Sequence, residues 1–101
     1  MIKLTALFGH PDSVDDFETH YLEKHVPIAR SIPNLVRLET ARTMPSPSGE
    51  APPYHRIAEL WFDDLTSLGA ALASEQGQAA SADIGYFATG GATLFLSDID
   101  D

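Results

Sequence analysis

Residues 2–32 read IKLTALFGHPDSVDDFETHYLEKHVPIARSI, and this stretch decides the fold. Its first seven residues place apolar side chains at every second position, namely Ile2, Leu4, Ala6 and Phe8. This alternation predicts a β-strand with one buried face. After a break at residues 9–12, the run Ser13-Val14-Asp15-Asp16 predicts the start of a helix. Ser13 is suited to cap it, and acidic side chains are favoured in a first turn by the helix dipole.

One face of this predicted helix is apolar. At about 100° per residue, six side chains fall within roughly 60° of one another: Val14, Phe17, Tyr21, His25, Ile28 and Ile32. We therefore expect this stripe to be buried against the strand. Pro27 has no N–H group and leaves the carbonyl of Glu23 without its helical partner, which predicts a kink or an end near residues 24–26.

The rest of the chain contains three more strands and a second helical region. Alternating patterns at residues 36–44, 54–62 and 92–97 predict the strands, and Asp63-Asp64 predicts a helix start. A further helical segment follows over residues 74–88, weakened by two glycines. Residues 45–53 contain four prolines and predict an exposed, mobile loop.

The order of these elements is β-α-β-β-α-β. It predicts an α+β fold of the ferredoxin-like plan, with a four-stranded antiparallel sheet and helices on one face. A chain of 101 residues is the size of one domain, so we assign residues 1–101 to a single domain.

Composition excludes several classes of function. Fifteen acidic against six basic residues disfavour nucleic-acid binding, which needs clustered Lys and Arg. The absence of cysteine excludes disulfides, thiolate nucleophiles and Cys-ligated metals. No apolar run approaches the ~20 residues of a membrane span, and the first residues do not resemble a signal peptide. We therefore expect a cytoplasmic protein that binds neither nucleic acid nor membrane.

Apolar side chains are also expected on the sheet face that the helices leave open. Ile57 and Trp61, together with Leu7, Leu94 and Leu96, are assigned to that face. In a two-layer fold the helices cover one face only, so this pattern predicts a homodimer through the helix-free face. The alternative is that these are scattered surface side chains, which are common.

Two acidic residues share the same predicted face. Glu39 and Glu59 would be costly near an apolar interface unless they were paired. Arg37 and Lys3 are available as partners, so ion pairing is favoured over acid–base catalysis.

His25 is the main candidate for chemistry. It lies at the centre of the apolar stripe, where an imidazole must find hydrogen-bond partners or face a ligand. Tyr21, Tyr54 and Arg56 are expected nearby, and polar groups around an apolar space are typical of a small-ligand pocket. Histidine also transfers protons near neutral pH. The alternative for His25 is a core histidine bonded to a backbone carbonyl or a tyrosine. Arg56 also has two interpretations: it either binds a substrate oxyanion or forms a salt bridge at the rim of the pocket.

No metal or cofactor site is predicted. His20 is five residues from His25, and a regular helix would separate the two side chains by roughly 140°, too far to share one metal. His10 precedes Pro11 in a loop and offers only a weak ligand pattern. The sequence also lacks a Gly-rich phosphate loop in a strand–loop–helix context and a Gly-x-Ser-x-Gly elbow.

Motifs along nearly the whole chain resemble the EthD family (ethyl tert-butyl ether degradation protein D) of the dimeric α+β barrel superfamily. They are Ile2-Lys3-Leu4-Thr5, Phe17-x-x-His20-Tyr21-x-x-x-His25-Val26-Pro27, Arg37-Leu38-Glu39, Tyr54-x-Arg56-Ile57-Ala58-Glu59-Leu60-Trp61-Phe62, Ser74-x-x-Gly77-Gln78 and Phe87-x-Thr89-Gly90-Gly91. The resemblance implies a homodimer whose two sheets pack into a barrel, and it links the chain to fuel-ether breakdown. Relatives in the superfamily include cofactor-free monooxygenases, muconolactone isomerases and polyketide cyclases. Some plant polyketide cyclases carry a catalytic histidine where this chain has Gly77-Gln78, so their mechanism does not transfer directly.

Two functions remain open. In the first, a small apolar oxygenated metabolite binds between the first helix and the sheet, and His25 and Tyr21 catalyse isomerisation, cyclisation or dehydration. The side chains expected to bind it are Phe17, Leu38, Tyr54, Arg56 and Phe62. In the second, the protein is a non-catalytic small-molecule binding or accessory protein of an oxidative degradation pathway.

Overall fold

The computed structural model describes residues 1–100. Its elements follow the order predicted from the sequence: β1 (Ile2–Phe8), α1 (Val14–His20), a π-helical turn (Tyr21–His25), α2 (Val26–Arg30), β2 (Arg37–Arg42), β3 (Arg56–Phe62), α3 (Leu65–Ala73), α4 (Glu75–Phe87) and β4 (Ala92–Asp98). The four strands form one antiparallel sheet in the order β2-β3-β1-β4. The helices cover one face, so the predicted ferredoxin-like α+β fold is confirmed.

The core lies between that face and the helices. Its largest fully buried side chains are Phe8, Phe17, Tyr21 and Phe62. The helices begin where the sequence indicated: the Ser13 hydroxyl accepts a hydrogen bond from the Asp16 N–H at 3.2 Å, and Asp64 accepts one from the Ser67 N–H at 2.7 Å. No helix within residues 1–100 is long and apolar enough to cross a membrane.

The first helical segment changes from regular α-helix to a π-helical turn just before Pro27, close to the position where a kink or an end is predicted. The helix neither ends nor breaks there, because a π-helical turn precedes the proline and α2 carries the helix on to Arg30. In this turn the N–H of Val26 bonds to the carbonyl of Tyr21, five residues back. The wider turn lets the chain pass a residue that has no N–H to donate.

The same turn changes which side chains are buried. Buried positions now repeat every fourth residue, at Phe17, Tyr21, His25 and Ala29. The regular stripe predicted from the sequence is therefore wrong at Val14, which is 40% exposed, and at Ile28, which is only half-buried.

The assignment of Leu94 and Leu96 to the helix-free face is also wrong. Leu94 pairs with Ala6 and Leu96 pairs with Leu4, so both lie on the helix-facing side of β4. Phe95 pairs with Thr5 and takes the opposite face instead. The run of three apolar residues in β4 has no alternation from which its orientation could be read.

The helix-free face carries the expected ion pairs. Lys3 Nζ lies 2.8 Å from Glu59 Oε2, and Arg37 pairs with Glu39. Both cations also lie over the Trp61 ring, at 5.7 Å for Lys3 and 5.2 Å for Arg37. The charges on this face are thus neutralised locally around one tryptophan.

Candidate functional site

A cavity of about 370 Å³ lies between the helices and the sheet. Its walls are mostly aliphatic: Leu4, Ala6, Leu38 and Leu60 from the sheet, Val26 and Ala29 from α2, and Ala80 and Ile84 from α4. Among the described residues, no Lys, Arg, Asp or Glu lines it. The cavity opens to solvent where the lining side chains of Leu72, Leu94 and Leu96 are 42%, 47% and 48% exposed.

His25 brings an imidazole to this apolar space. Its ring packs between Phe8 and Phe87, and its Nδ1–H donates to Asp83 Oδ2 at 2.9 Å. Burial lowers the pKa of His25, and the hydrogen bond to Asp83 offsets part of that effect. A carboxylate only accepts hydrogen bonds, so the proton lies on Nδ1 and Nε2 keeps its lone pair.

The other nitrogen of this ring, Nε2, is not fully enclosed by the protein. His25 Nε2 has no hydrogen-bond partner among residues 1–100, yet every fully buried side-chain nitrogen and oxygen in that part of the chain has one. Nε2 must therefore retain contact with open space. His25 is hydrogen-bonded like the core histidine of the alternative interpretation, but its partner is a carboxylate, and its other nitrogen has no hydrogen-bond partner among residues 1–100.

Asp83, on α4, is the site residue that sequence reasoning missed. It is buried, and its second oxygen, Oδ1, accepts from His20 Nε2 at 2.8 Å. The predicted separation of His20 from His25 assumed a regular helix; the π-helical turn between them brings both rings to one carboxylate. A signal was present, since Asp83 lies three residues after Ala80 and four before Phe87, on the buried face of the predicted helix.

Tyr21 adds a hydroxyl on the sheet side of the cavity. Tyr21 is one of the residues that line the cavity, and its hydroxyl is bonded to Thr40 Oγ1 at 2.5 Å. Burial raises the pKa of Tyr21, so its phenol is neutral and able to donate at physiological pH. Arg56 supports this pair: its guanidinium lies 4.9 Å from the Tyr21 ring centre, and Nη1 donates to Thr40 Oγ1 at 3.4 Å.

The guanidinium of Arg56 is itself paired with a carboxylate that does not line the cavity. Its Nε and Nη2 donate to the two oxygens of Glu18, each at 2.8 Å, and His55 Nε2 lies 3.0 Å from Glu18 Oε2. The hydrogen bonds from Arg56 are the main reason that the pKa of Glu18 falls to about 2. The salt bridge is mostly buried, with 10% of the Arg56 side chain exposed.

The remaining predicted binding residues are divided between the cavity and other places. Leu38 lines the cavity, as Tyr21 and His25 do. Phe17 and Phe62 belong to the packed core, and Tyr54 lies half-buried in the loop before β3; none of the three contributes to the cavity wall.

No group of three or more metal-binding side chains within the described range is arranged to hold an ion. The two histidines beside Asp83 each bond to a different carboxylate oxygen. The two histidines and Asp83 therefore form a hydrogen-bonded cluster in which the Asp83 carboxylate is the acceptor.

Comparison with known proteins identifies close relatives. A family model described as an EthD domain matches residues 10–91. An "uncharacterized 11.0 kDa protein in thcB-thcC intergenic region" of Rhodococcus erythropolis is 36% identical over 98 residues, which cover 97% of this chain and 94% of the relative.

Solved structures show the same architecture. An ethyl tert-butyl ether d (EthD) family protein from Bacillus halodurans C-125 matches with a TM-score of 0.92 and 33% identity, covering 99% of both chains. A dimeric ferredoxin-like protein of unknown function from Thermobifida fusca YX matches with a TM-score of 0.74 and 16% identity, covering 97% of this chain and 90% of the other. At that identity the likeness shows the fold alone.

Proposed function

The chain belongs to the EthD family, and we propose that it binds a small, uncharged, oxygenated organic molecule in the cavity and moves a proton on it with His25. The observation that carries this proposal is the His25 imidazole in the wall of a mostly apolar cavity, bonded to Asp83 through Nδ1 and without a hydrogen-bond partner on Nε2 among the described residues. A cavity of this size and character, with few polar groups converging on it, is typical of small-molecule sites.

The ligand is uncharged because the cavity offers no counter-charge. A buried carboxylate or phosphate would need a cation, and an unpaired ion in such a space costs many kcal/mol. Arg56, which lies over the ring of the cavity-lining Tyr21, is already neutralised by Glu18. A ketone or an enol of moderate size meets these conditions.

The chemistry proposed is enolisation. His25 Nε2 accepts a proton from the carbon next to a carbonyl, and the electron pair of that C–H bond moves onto the carbonyl oxygen. Asp83 stabilises the imidazolium that forms, as a carboxylate does when it orients a catalytic histidine. Return of the proton to another atom completes an isomerisation; loss of a β-hydroxyl as water completes a dehydration.

Tyr21 is the proposed partner of the developing oxyanion. Arg56 donates to Thr40, so the Thr40 hydroxyl is free to donate to the oxygen of Tyr21. The Tyr21 proton then points to the ligand. Arg56 in this arrangement supports the oxyanion through two hydroxyls, without contacting the ligand.

A neutral ketone tests this proposal without knowledge of the natural substrate. In D₂O the protein should bind α-tetralone and exchange its C2 protons for deuterium, as followed by proton NMR. His25→Gln should slow the exchange roughly 10²- to 10⁴-fold while the ketone still binds, because general-base catalysis contributes about that much. The charged analogue 1-naphthoate should not bind.

A matched pair of variants on α4 locates the site. Ala80→Leu fills the cavity and should abolish both binding and exchange, whereas Ala79→Leu, one residue earlier on the exposed side, should leave both unchanged. Binding without exchange would support the carrier or accessory function instead. Exchange that survives His25→Gln would contradict the role given to His25.

We also propose that two copies of the chain pair through the helix-free sheet face. Solved neighbours of this fold are described as dimeric. On that face Phe95 is 47% exposed, Ile57 and Trp61 are half-buried, and the charged side chains already have partners. Because these ion pairs are formed within one copy, the free-energy cost of burying the charged side chains under a second copy is lower.

Placing a charge at the centre of this face should separate the copies. Ile57→Glu is expected to convert the dimer to a monomer, because the introduced carboxylate would be buried without a partner. Light scattering after size-exclusion chromatography measures the change. Leu22→Glu, at a 49% exposed position on the helical side, is the matched control and should remain dimeric. A dimeric Ile57→Glu variant would place the interface elsewhere.

A further inference from the structure

His20, Asp83 and His25 form a hydrogen-bonded row from solvent to the cavity. His20 Nε2–H donates to one oxygen of Asp83 at 2.8 Å, and His25 Nδ1–H donates to the other at 2.9 Å. The exposed fraction of the side chain is 31% for His20, 11% for Asp83 and 9% for His25. Two imidazoles thus share one carboxylate, and they differ in their access to water.

One carboxylate balances the charge of one imidazolium. A second positive ring on the same carboxylate would be repelled by the first, since like charges at this range disfavour each other. Charging the more buried ring also costs more, because it loses more hydration. A positive charge on the His20 ring therefore lowers the pKa of His25.

We propose that His20 is a positioning residue for His25: it shares the Asp83 carboxylate with the cavity-facing ring and favours the neutral form of that ring. This inference extends the proposed function, since a neutral His25 is the form that can accept a proton. It assigns His20 a role in tuning the base, although His20 does not line the cavity.

Burial lowers the pKa of His25 most, the contacts with Asp83 raise it, and His20 lowers it further. From α4 the two rings face Asp83 and Tyr86, whose ring stacks 6.4 Å from His20. From the first helical segment His25 faces Tyr21, and from β1 it meets the uncharged Phe8. The charged side chains between the two histidines, Glu23 and Lys24, are exposed.

Histidine ring titration by ¹⁵N NMR tests the coupling with no ligand present. His20→Gln removes the second imidazole from Asp83, so the pKa of His25 should rise. His20→Lys keeps a positive charge at the same place, so the pKa of His25 should stay as in the parent protein. His10→Gln removes an exposed histidine outside the row and serves as the matched control, with no change expected.

The two histidine variants separate an electrostatic role from a structural one. Equal shifts in His20→Gln and His20→Lys would overturn the inference, as would a His20→Gln variant that titrates like His10→Gln. The α-tetralone exchange experiment decides the proposed function separately. Coupled titration without exchange would contradict only the catalytic proposal, and exchange with uncoupled rings would contradict only this inference.

Discussion

Replacing Arg56 by methionine is expected to lower the free energy of unfolding by roughly 3–5 kcal/mol, the usual cost of removing one partner from a buried ion pair. Glu18 would keep its charge in a mostly buried position and lose both strong hydrogen bonds from the guanidinium. The cation over the Tyr21 ring would be lost as well. Denaturant titration at pH 7 measures the change.

An exposed ion pair provides the matched control. Arg37 and Glu39 have side chains that are 62% and 51% exposed, so Arg37→Met should cost no more than about 1 kcal/mol. Adding Glu18→Gln to Arg56→Met should recover part of the loss, because the stranded charge is gone. If Arg56→Met costs no more than Arg37→Met, the buried pair does not stabilise the fold as argued.

The pH dependence of this effect follows from Glu18. Its folded pKa of about 2 lies below the usual 4.5, so the pair contributes its full stability above about pH 4.5. That contribution is lost as the pH falls through about 2, below which the carboxyl is protonated in both folded and unfolded chains. The stability difference between the parent and Arg56→Met should therefore narrow between pH 7 and pH 3.

Much of the fold could be predicted because local patterns and long-range packing agree. The alternation in Ile2–Phe8 gave both the first strand and its buried face, and it matches the register with β3 and β4. Ser13 and Asp64 mark helix starts through their own hydrogen bonds. Such signals depend on neighbouring residues alone, so they can be read from the sequence.

The site was only partly predictable because its key contacts join distant parts of the chain. The burial of His25 follows from helical spacing, but its partner Asp83 is 58 residues away. The π-helical turn, which brings His20 to the same carboxylate, depends on how one helix accommodates a proline against its neighbours. Arg56 lies over the Tyr21 ring, while its pairing with Glu18, 38 residues earlier, leaves no local pattern.

The roles of the two glycines in α4 also depend on distant contacts that the sequence does not reveal. Replacing one of them, Gly77, is the second change with a large expected effect on stability. Gly77→Ala is expected to lower the free energy of unfolding by roughly 1–3 kcal/mol, although alanine favours helix. A Cβ at residue 77 would lie 2.1 Å from the carbonyl oxygen of Ala71 and 2.9 Å from the Cα of Leu72. Both are backbone atoms of α3, so relief requires α3 and α4 to move apart. Thermal or denaturant unfolding measures the loss.

Gly85 is the matched control in the same helix. A Cβ there would meet nothing within 4 Å, and the residue is exposed, so Gly85→Ala should raise stability by about 0.5–1 kcal/mol. From the sequence the two glycines look alike, each weakening one helix. Their opposite expected effects on stability distinguish a glycine that sets the distance between two helices from one that only lowers helix propensity.

Because Gly77 also lines the cavity, Gly77→Ala should weaken α-tetralone binding while Gly85→Ala does not. A stabilised Gly77→Ala variant would mean that α3 and α4 separate freely, and the cavity wall they form would then be adjustable.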